Sequence, residues 1–285
     1  MRVTMATSAA DPDRPNEDFA AALPHAVVLL DGAGIPVHDS CSHGVAWYTR
    51  RLGGALVTHL SGDDGRSLAA LLAASISDVS LAHRDTCDVD SPHSPSATVI
   101  VFRCHGDRAD YLVLADSVLV LDQVDGGPTV ICDDRAGEIG ARYRAAMRAA
   151  AHGTPEHDGA HLDCVEAVRA HRNQPDGFWV AAADPGAASE ALTGSRPVRE
   201  LRGVALLSDG ASRIVDRFGL ADWPDLIAVL DGDGPGEVVR RVRAAERSDR
   251  QGRLWPRAKI YDDATVAYCT ALAEQVGGGA AARTP

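Results

Sequence analysis

Three apolar runs in this 285-residue chain stop in the same way, at an aspartate. "HAVVLLDGAG" carries Val27 to Leu30 into Asp31 and Gly32, "YLVLADS" ends at Asp116, and "GVALLSDG" ends at Asp209 and Gly210. A fourth segment, "YDDATVAYC", reverses the order, with Asp262 and Asp263 opening an apolar stretch, and "RPNEDFAAAL" sets Glu17 and Asp18 at one more strand start. Any one of these reads as an ordinary turn, because Asp and Gly are common turn residues. In the set, glycine after Asp31 and Asp209 lets the backbone turn sharply, and the strand ends can converge at one edge of a sandwich.

The rest of the pattern supplies the sandwich. Strands are predicted at 2–7, 17–22 and 25–31. Val45, Tyr48, Leu52, Leu56 and Leu60 then recur at helical spacing, and "RSLAALLAASISDVSLAHR" forms a second helix with Ser67 as its cap. After a Pro- and Ser-rich loop, "ATVIVFRCH", "ADYLVLAD", "SVLVLDQ" and "PTVICDD" follow at the spacing of an antiparallel meander. Helices are predicted over "GEIGARYRAAMRAAAHG" and "HLDCVEAVRAHRNQ", a strand over "GFWVAAAD", a short helix over "PGAASEALTG", and a hairpin of "PVRELRG" and "VALLSDG". Helices at 222–234 and 235–250 precede the closing strand "DDATVAYCTAL". Grouped strands and grouped helices argue against a parallel βαβ sheet. The expected class is α+β, two stacked, mainly antiparallel sheets with helices outside, followed by a disordered tail at 273–285.

The formal net charge of −12 argues against a nucleic-acid partner. No apolar run approaches membrane-spanning length, and the first 15 residues lack a signal-peptide core, so a cytoplasmic monomer without a membrane partner is expected. The six cysteines form no CxxC pair; Cys104, Cys132 and Cys269 read as buried thiols. Cys41 and His43, with His38 and His59, match no standard zinc spacing, and His43 reads as a helix-opening or exposed residue. "RRVRAAER" reads as a solvated helix face. Lys259, the only lysine, lies three residues before Asp262. It reads as a surface lysine, although a cation there could reach the same edge.

Carboxylates brought together repel strongly at neutral pH, and the simplest remedy is a hard divalent cation with oxygen ligands, Mg²⁺ or Mn²⁺. At this point the residues resemble a family. "NED", "VVLLDGAG", "SPSATVIVF", "YLVLADSVLVL", "VALLSDG" and "DDATVAY" occur in the order seen in metal-dependent protein phosphatases of the 2C type, over roughly residues 1 to 270. The resemblance implies one domain over 1–272, a four-layer α/β/β/α sandwich with a variable flap-like segment at 136–200. It implies two Mn²⁺ or Mg²⁺ ions at one sheet edge. Asp31 would be shared by both, the Gly32 carbonyl would ligate one, and Asp209 and Asp262 would complete the other site. Glu17 and Asp18 would ligate directly or through water. Asp116 matches the position tied to a third, weaker ion.

The same resemblance implies hydrolysis of phosphoserine or phosphothreonine by a metal-activated water, with Asp31, Asp18 and Arg14 carrying the chemistry. Arg14 would bind the substrate phosphate, one place closer to Glu17 than the family's arginine, with Asp13 at the usual position. Ala33 and Ile35 alter the second motif. Ala115 and Val118 replace the Gly and Arg that flank the position of Asp116, which counts against the third ion. Two alternatives remain: a catalytically weak module that binds and signals, and an enzyme of the same fold acting on a small phosphorylated molecule.

Overall fold

In a computed structural model, residues 1–34, 40–62, 65–149 and 154–272 are described. Ile35, His38 and the 273–285 tail lie outside them. The apolar runs are nearly continuous because both faces of each sheet are covered. One sheet has the order β1 (Arg2–Ser8), β10 (Ala264–Thr270), β9 (Leu201–Leu207), β6 (Val118–Gln123), β7 (Thr129–Ile131). The other has β2 (Phe19–Ala22), β3 (Ala26–Ala33), β4 (Ser96–His105), β5 (Arg108–Leu114), β8 (Leu192–Pro197). All neighbouring pairs are antiparallel.

Alternation along the strands sorts residues into layers. Val27, Leu29, Ile100 and Phe102 face Leu119, Leu121, Leu206 and Ala267 between the sheets. The opposite face of the second sheet, through Val28, Leu30, Val99 and Val101, packs on α1 (Val45–Ser61) and α2 (Leu68–His83). The opposite face of the first, through Val120, Ala205 and Val266, packs on α5 (Asp209–Asp216), α6 (Trp223–Gly232) and α7 (Pro235–Ser248). The four-layer α/β/β/α sandwich follows. Tyr48, Leu52, Leu56 and Leu60 form the buried stripe of α1. The Ser67 hydroxyl caps α2, accepting from the Ala70 N–H at 3.2 Å. No described helix is long and apolar enough to cross a membrane.

The structure departs from the sequence reading in three places that matter to the site. The meander is split: β4 and β5 lie in one sheet, β6 and β7 in the other. The chain crosses between sheets at 115–117, where Ala115 takes a left-handed φ of 68°, so Asp116 stands at the crossing. The hairpin expected over 197–210 is absent: Leu201–Leu207 is one strand, β9, paired with β6 and β10, while β8, at the end of the expected short helix, pairs with β5. A 3-10 turn at Val198–Glu200 carries the chain across. Directly after β9, Asp209 opens α5, a helix that the apolar pattern did not announce.

"GFWVAAAD" forms no strand but only isolated bridges, Ala97 with Ala181 and Arg172 with Phe178. Phe178 and Val180 pack with Ala115 and Ile139, which anchors the segment containing α3 (Arg135–Ala149) and α4 (Pro155–Arg169). Two smaller readings also change. Cys269 is buried, but Cys104 and Cys132 are only half-buried. The face read as solvated on α7 contributes buried Arg243 and Glu246, joined at 2.6 Å.

Leu52 is fully buried and Leu254 is 67% exposed. Leu52→Ala should therefore cost roughly 2–5 kcal/mol, and Leu254→Ala should stay within about 0.5 kcal/mol of wild type. Urea unfolding of both variants measures the difference; equal midpoints would contradict this layer assignment.

Candidate metal centre

β3 does not end at Asp31. It stays paired with β4 through Ala33, with Asp31 opposite Thr98 and Gly32 opposite Ala97. Gly32 is therefore not a turn residue. A Cβ there would come within 2.7 Å of the Glu17 carbonyl oxygen and 2.6 Å of Val45 Cγ1. Gly210 has the same role: a Cβ there would strike the backbone of Asp263. Both glycines let backbone segments bearing carboxylates approach one another.

Those approaches bring the acidic residues together. The Asp209 N–H donates to Asp31 Oδ2 at 3.2 Å, and Asp209 lies in the first turn of α5, where the helix N-terminus favours negative charge. Asp31, Asp18, Asp209 and Asp262 are near enough for Asp31 to feel the charge of the other three. Dehydration in the cleft and these neighbours hold the Asp31 carboxyl well above the usual range.

Asp18 is the most exacting member. It is 8% exposed, and neither carboxylate oxygen has a hydrogen-bond partner. The nearby Ser208 hydroxyl accepts from the Thr265 N–H at 2.9 Å, and the Thr265 hydroxyl lies 2.7 Å from that of Thr7. Burial, with added repulsion from Asp263 and Asp209, pushes the Asp18 carboxyl up to about 7, against the pull of those two hydroxyls. A buried carboxylate without partners is costly. A hard divalent cation is the group that answers it, and the oxygen-rich donor set around Asp18 fits one. Burial likewise raises Glu17, with Lys259 opposing it.

A cleft of about 600 Å³ lies alongside, lined by Asp116, Asp134, Asp209, Asp216, Asp262 and Lys259 among others. Asp116 reaches the cleft from the sheet crossing, and burial followed by repulsion from Asp209 lifts it to about 7. Asp134 and Asp216 stand with it there. Asp134 closes "PTVICDD" and Asp216 closes α5, and the sequence reading assigned neither.

Asp262 is held differently. Its Oδ2 accepts from Arg213 Nη2 at 2.6 Å and its Oδ1 from Lys259 Nζ at 2.9 Å. Arg213, on α5, also bonds the buried Glu246 at 3.2 Å. Lys259 is thus a lining residue of the cleft rather than a bystander. Burial and Asp209 raise the Asp262 carboxyl, and the two cations oppose them.

Asp263 is the other residue that the sequence reading did not assign. Its carboxylate accepts from the Ala10 N–H at 2.7 Å and the Glu17 N–H at 2.6 Å. It ties both ends of the 10–17 loop beside Asp262 and thereby positions Glu17. Arg14 stands exposed on that loop, its backbone N–H bonded to the Asp11 carbonyl at 3.2 Å. Its charge is felt at Glu17, but it holds none of the site carboxylates by a described ion pair.

The raised carboxyls have a pH consequence. Between the ordinary 3.8 and about 7, the unfolded chain releases the Asp18 proton while the folded, metal-free chain keeps it. The folded state then binds more protons, so stability falls as pH rises through that window. Melting temperatures of chelator-treated protein from pH 4.5 to 7.5 should decline, and Asp18→Asn should flatten the decline. An unchanged slope in Asp18→Asn would remove Asp18 from the account.

Comparison with known proteins bears on the family and the fold. A family model described as protein phosphatase 2C matches residues 7–235. No curated protein matches the chain. Among solved structures, the catalytic domain of the serine/threonine phosphatase PstP, in complex with two manganese ions, is 18% identical with a TM-score of 0.56, covering 94% of this chain and 97% of that one. A structure of the Mycobacterium tuberculosis phosphatase PstP/Ppp is 19% identical, with the same TM-score and coverage. The phosphatase Stp1 of Staphylococcus aureus is 12% identical, again with a TM-score of 0.56 and 94% of each chain covered. With the family model matched over residues 7–235 and the fold shared over 94% of the chain, this chain belongs to the protein phosphatase 2C family.

Proposed function

We propose that the chain is a metal-dependent phosphatase that removes phosphate from phosphoserine or phosphothreonine in proteins. The observation that carries the reading is Asp18: two buried carboxylate oxygens without partners, set against Asp31 and Asp209. Asp31, Asp18, Asp209 and the Gly32 carbonyl would hold one or two Mn²⁺ or Mg²⁺ ions, with Glu17 and Asp262 beside them. Such ions supply an acidified water and neutralise charge on the phosphoryl group.

The chain's own residues do the rest. Asp263 fixes the backbone of Glu17 at the site. Lys259 projects into the cleft from beside Asp262, where it can meet a phosphate oxygen. Arg14, at the exposed rim, is the second candidate for the phosphate, with the fork geometry to bind two oxygens. One thiol and one hydroxyl side chain line the cleft, and both are engaged. Burial and the surrounding aspartates push the Cys132 thiol up to about 12, and it donates to the Asp116 carbonyl at 3.4 Å. The Ser212 hydroxyl bonds Asp216. Direct attack by water is the route these residues favour.

One observation supports the weaker alternative, a module that binds more than it turns over: Asp262 is already paired twice, with Arg213 and Lys259. Turnover of a phosphothreonine peptide distinguishes the two. Metal removal by chelator should abolish hydrolysis and Mn²⁺ should restore it, while Asp31→Asn, an isosteric change that should leave the chain folded, should lower turnover at least a hundredfold. Arg14→Ala should raise KM several-fold with kcat nearly unchanged; wild-type kinetics there would move the phosphate contact to Lys259. Full activity in excess chelator would end the reading altogether.

A further inference from the structure

Away from the acidic cleft, the described residues hold one cluster of soft ligands. Cys41 and His43 come from the turn ahead of α1. Cys87, which no local spacing connects to them, comes from the turn after α2. The Cys41 sulfur lies 3.7 Å and the Cys87 sulfur 3.3 Å from the same nitrogen, His43 Nδ1. All three ligand atoms lie within 4.8 Å of one another. Zinc bonds of about 2.3 Å to sulfur and 2.0–2.1 Å to nitrogen at tetrahedral angles place sulfur and nitrogen about 3.6 Å apart. The two observed separations bracket that value.

The surroundings also resemble a built site. The His43 ring is stacked on Trp47 with centroids 4.2 Å apart and meets the His83 ring edge-on at 6.0 Å, so the imidazole is aimed by α1 and α2 together. The two turns are joined by the Asp88 N–H donating to the Ser40 carbonyl at 3.2 Å. Ser42 and Thr86 hydroxyls each lie 3.6 Å from the Cys87 sulfur, the kind of outer contact that orients a ligand. Cys41 is buried at the floor, and Cys87 borders an open cleft with Arg84, Asp85 and Asp88. Although burial works against it, hydrogen bonds from Ser42, Thr86 and Cys41 bring the Cys87 thiol down to about 6.

We propose that Cys41, His43 and Cys87 bind a Zn²⁺ ion, with the fourth position open to water. Two thiolates and a neutral imidazole balance the charge of the ion, and the thiol protons leave to solvent as it binds. Thiolate and imidazole select a borderline-soft cation over the Mn²⁺ or Mg²⁺ favoured by an all-oxygen set, so the two sites would not compete for one metal. A disulfide between the cysteines is the rival chemistry, but it leaves the imidazole that faces both sulfurs without a part. The ion would pin the start of α1, whose Val45 fills the space over Gly32 beside Asp31.

Co²⁺ is the probe, because thiolate ligation gives a near-ultraviolet charge-transfer band that carboxylate sites cannot produce. Reduced, chelator-treated full-length protein should develop the band with one equivalent bound, and Zn²⁺ should bleach it. Asp31→Asn should keep the band, which separates this site from the acidic cleft. Cys41→Ser and Cys87→Ser should each weaken Co²⁺ binding at this site at least tenfold. In wild-type protein, Zn²⁺ should slow alkylation of Cys41 and Cys87, mapped by mass spectrometry, at least tenfold; this readout needs no variant to fold. No charge-transfer band in reduced wild type with excess Co²⁺, or equal alkylation with and without Zn²⁺, would overturn the proposal. So would isolation of a Cys41–Cys87 disulfide whose reduced form takes up no Co²⁺.

Discussion

Carboxylates confined together away from water repel one another, and the fold holds several of them in that state. The repulsion cannot relax by rearrangement, because each carboxylate is fixed to a different element. Asp31 is inside the paired strand β3, Asp18 leads into its neighbour β2 in the same sheet, Asp209 starts α5, and Asp262 precedes β10 in the other sheet. The inner faces that hold these elements in place carry a continuous apolar core, with Leu29, Ile100, Leu119 and Leu206 inaccessible to solvent. Packing energy distributed over that core offsets a local electrostatic cost. A rigid, dehydrated oxygen cage is a site that a small hard cation fills better than solvent does.

Charge within the cage is graded rather than uniform. Asp18 has no hydrogen-bonded counterpart. Asp31 receives a backbone N–H, and Asp262 receives a guanidinium and an ammonium. The demand for an external cation therefore rises from the Asp262 side of the cluster towards Asp18. The Arg213–Glu246–Arg243 chain behind Asp262 extends this internal neutralisation to the Ser8 carbonyl on β1, so part of the cleft wall is braced by ion pairs rather than by apolar contact.

Much of this was legible in the chain because strand-end aspartates leave a local signature: an apolar run followed or preceded by Asp. Asp31, Asp116, Asp209 and Asp262 carry it, and so does the layered class of the fold. What was not legible depends on contacts between distant residues. Gly32 and Gly210 look like turn glycines; their need for a missing Cβ comes from Glu17, Val45 and Asp263, which only the tertiary fold brings near. Asp263 binds the N–H groups of Ala10 and Glu17 across most of the chain, and no spacing rule can announce that. Cys87 meets His43 for the same reason. The meander pairing fails at 115–117 because strand spacing says that two strands are consecutive but not that they lie in the same sheet.

The position of β10 has a consequence for biosynthesis. It lies between β1 and β9, pairing residues 2–8 with 264–270 and residues 203–207 with 266–270. Until residues 264–270 have left the ribosome, β1 has no neighbour in its sheet, and the loop that presents Glu17 and Asp18 lacks the Asp263 carboxylate that ties it. During translation the strands that carry Asp18 and Asp31 can pair before β10 is made. Asp262 and Asp263 join the acidic edge only after Asp18, Asp31 and Asp209 have been synthesised.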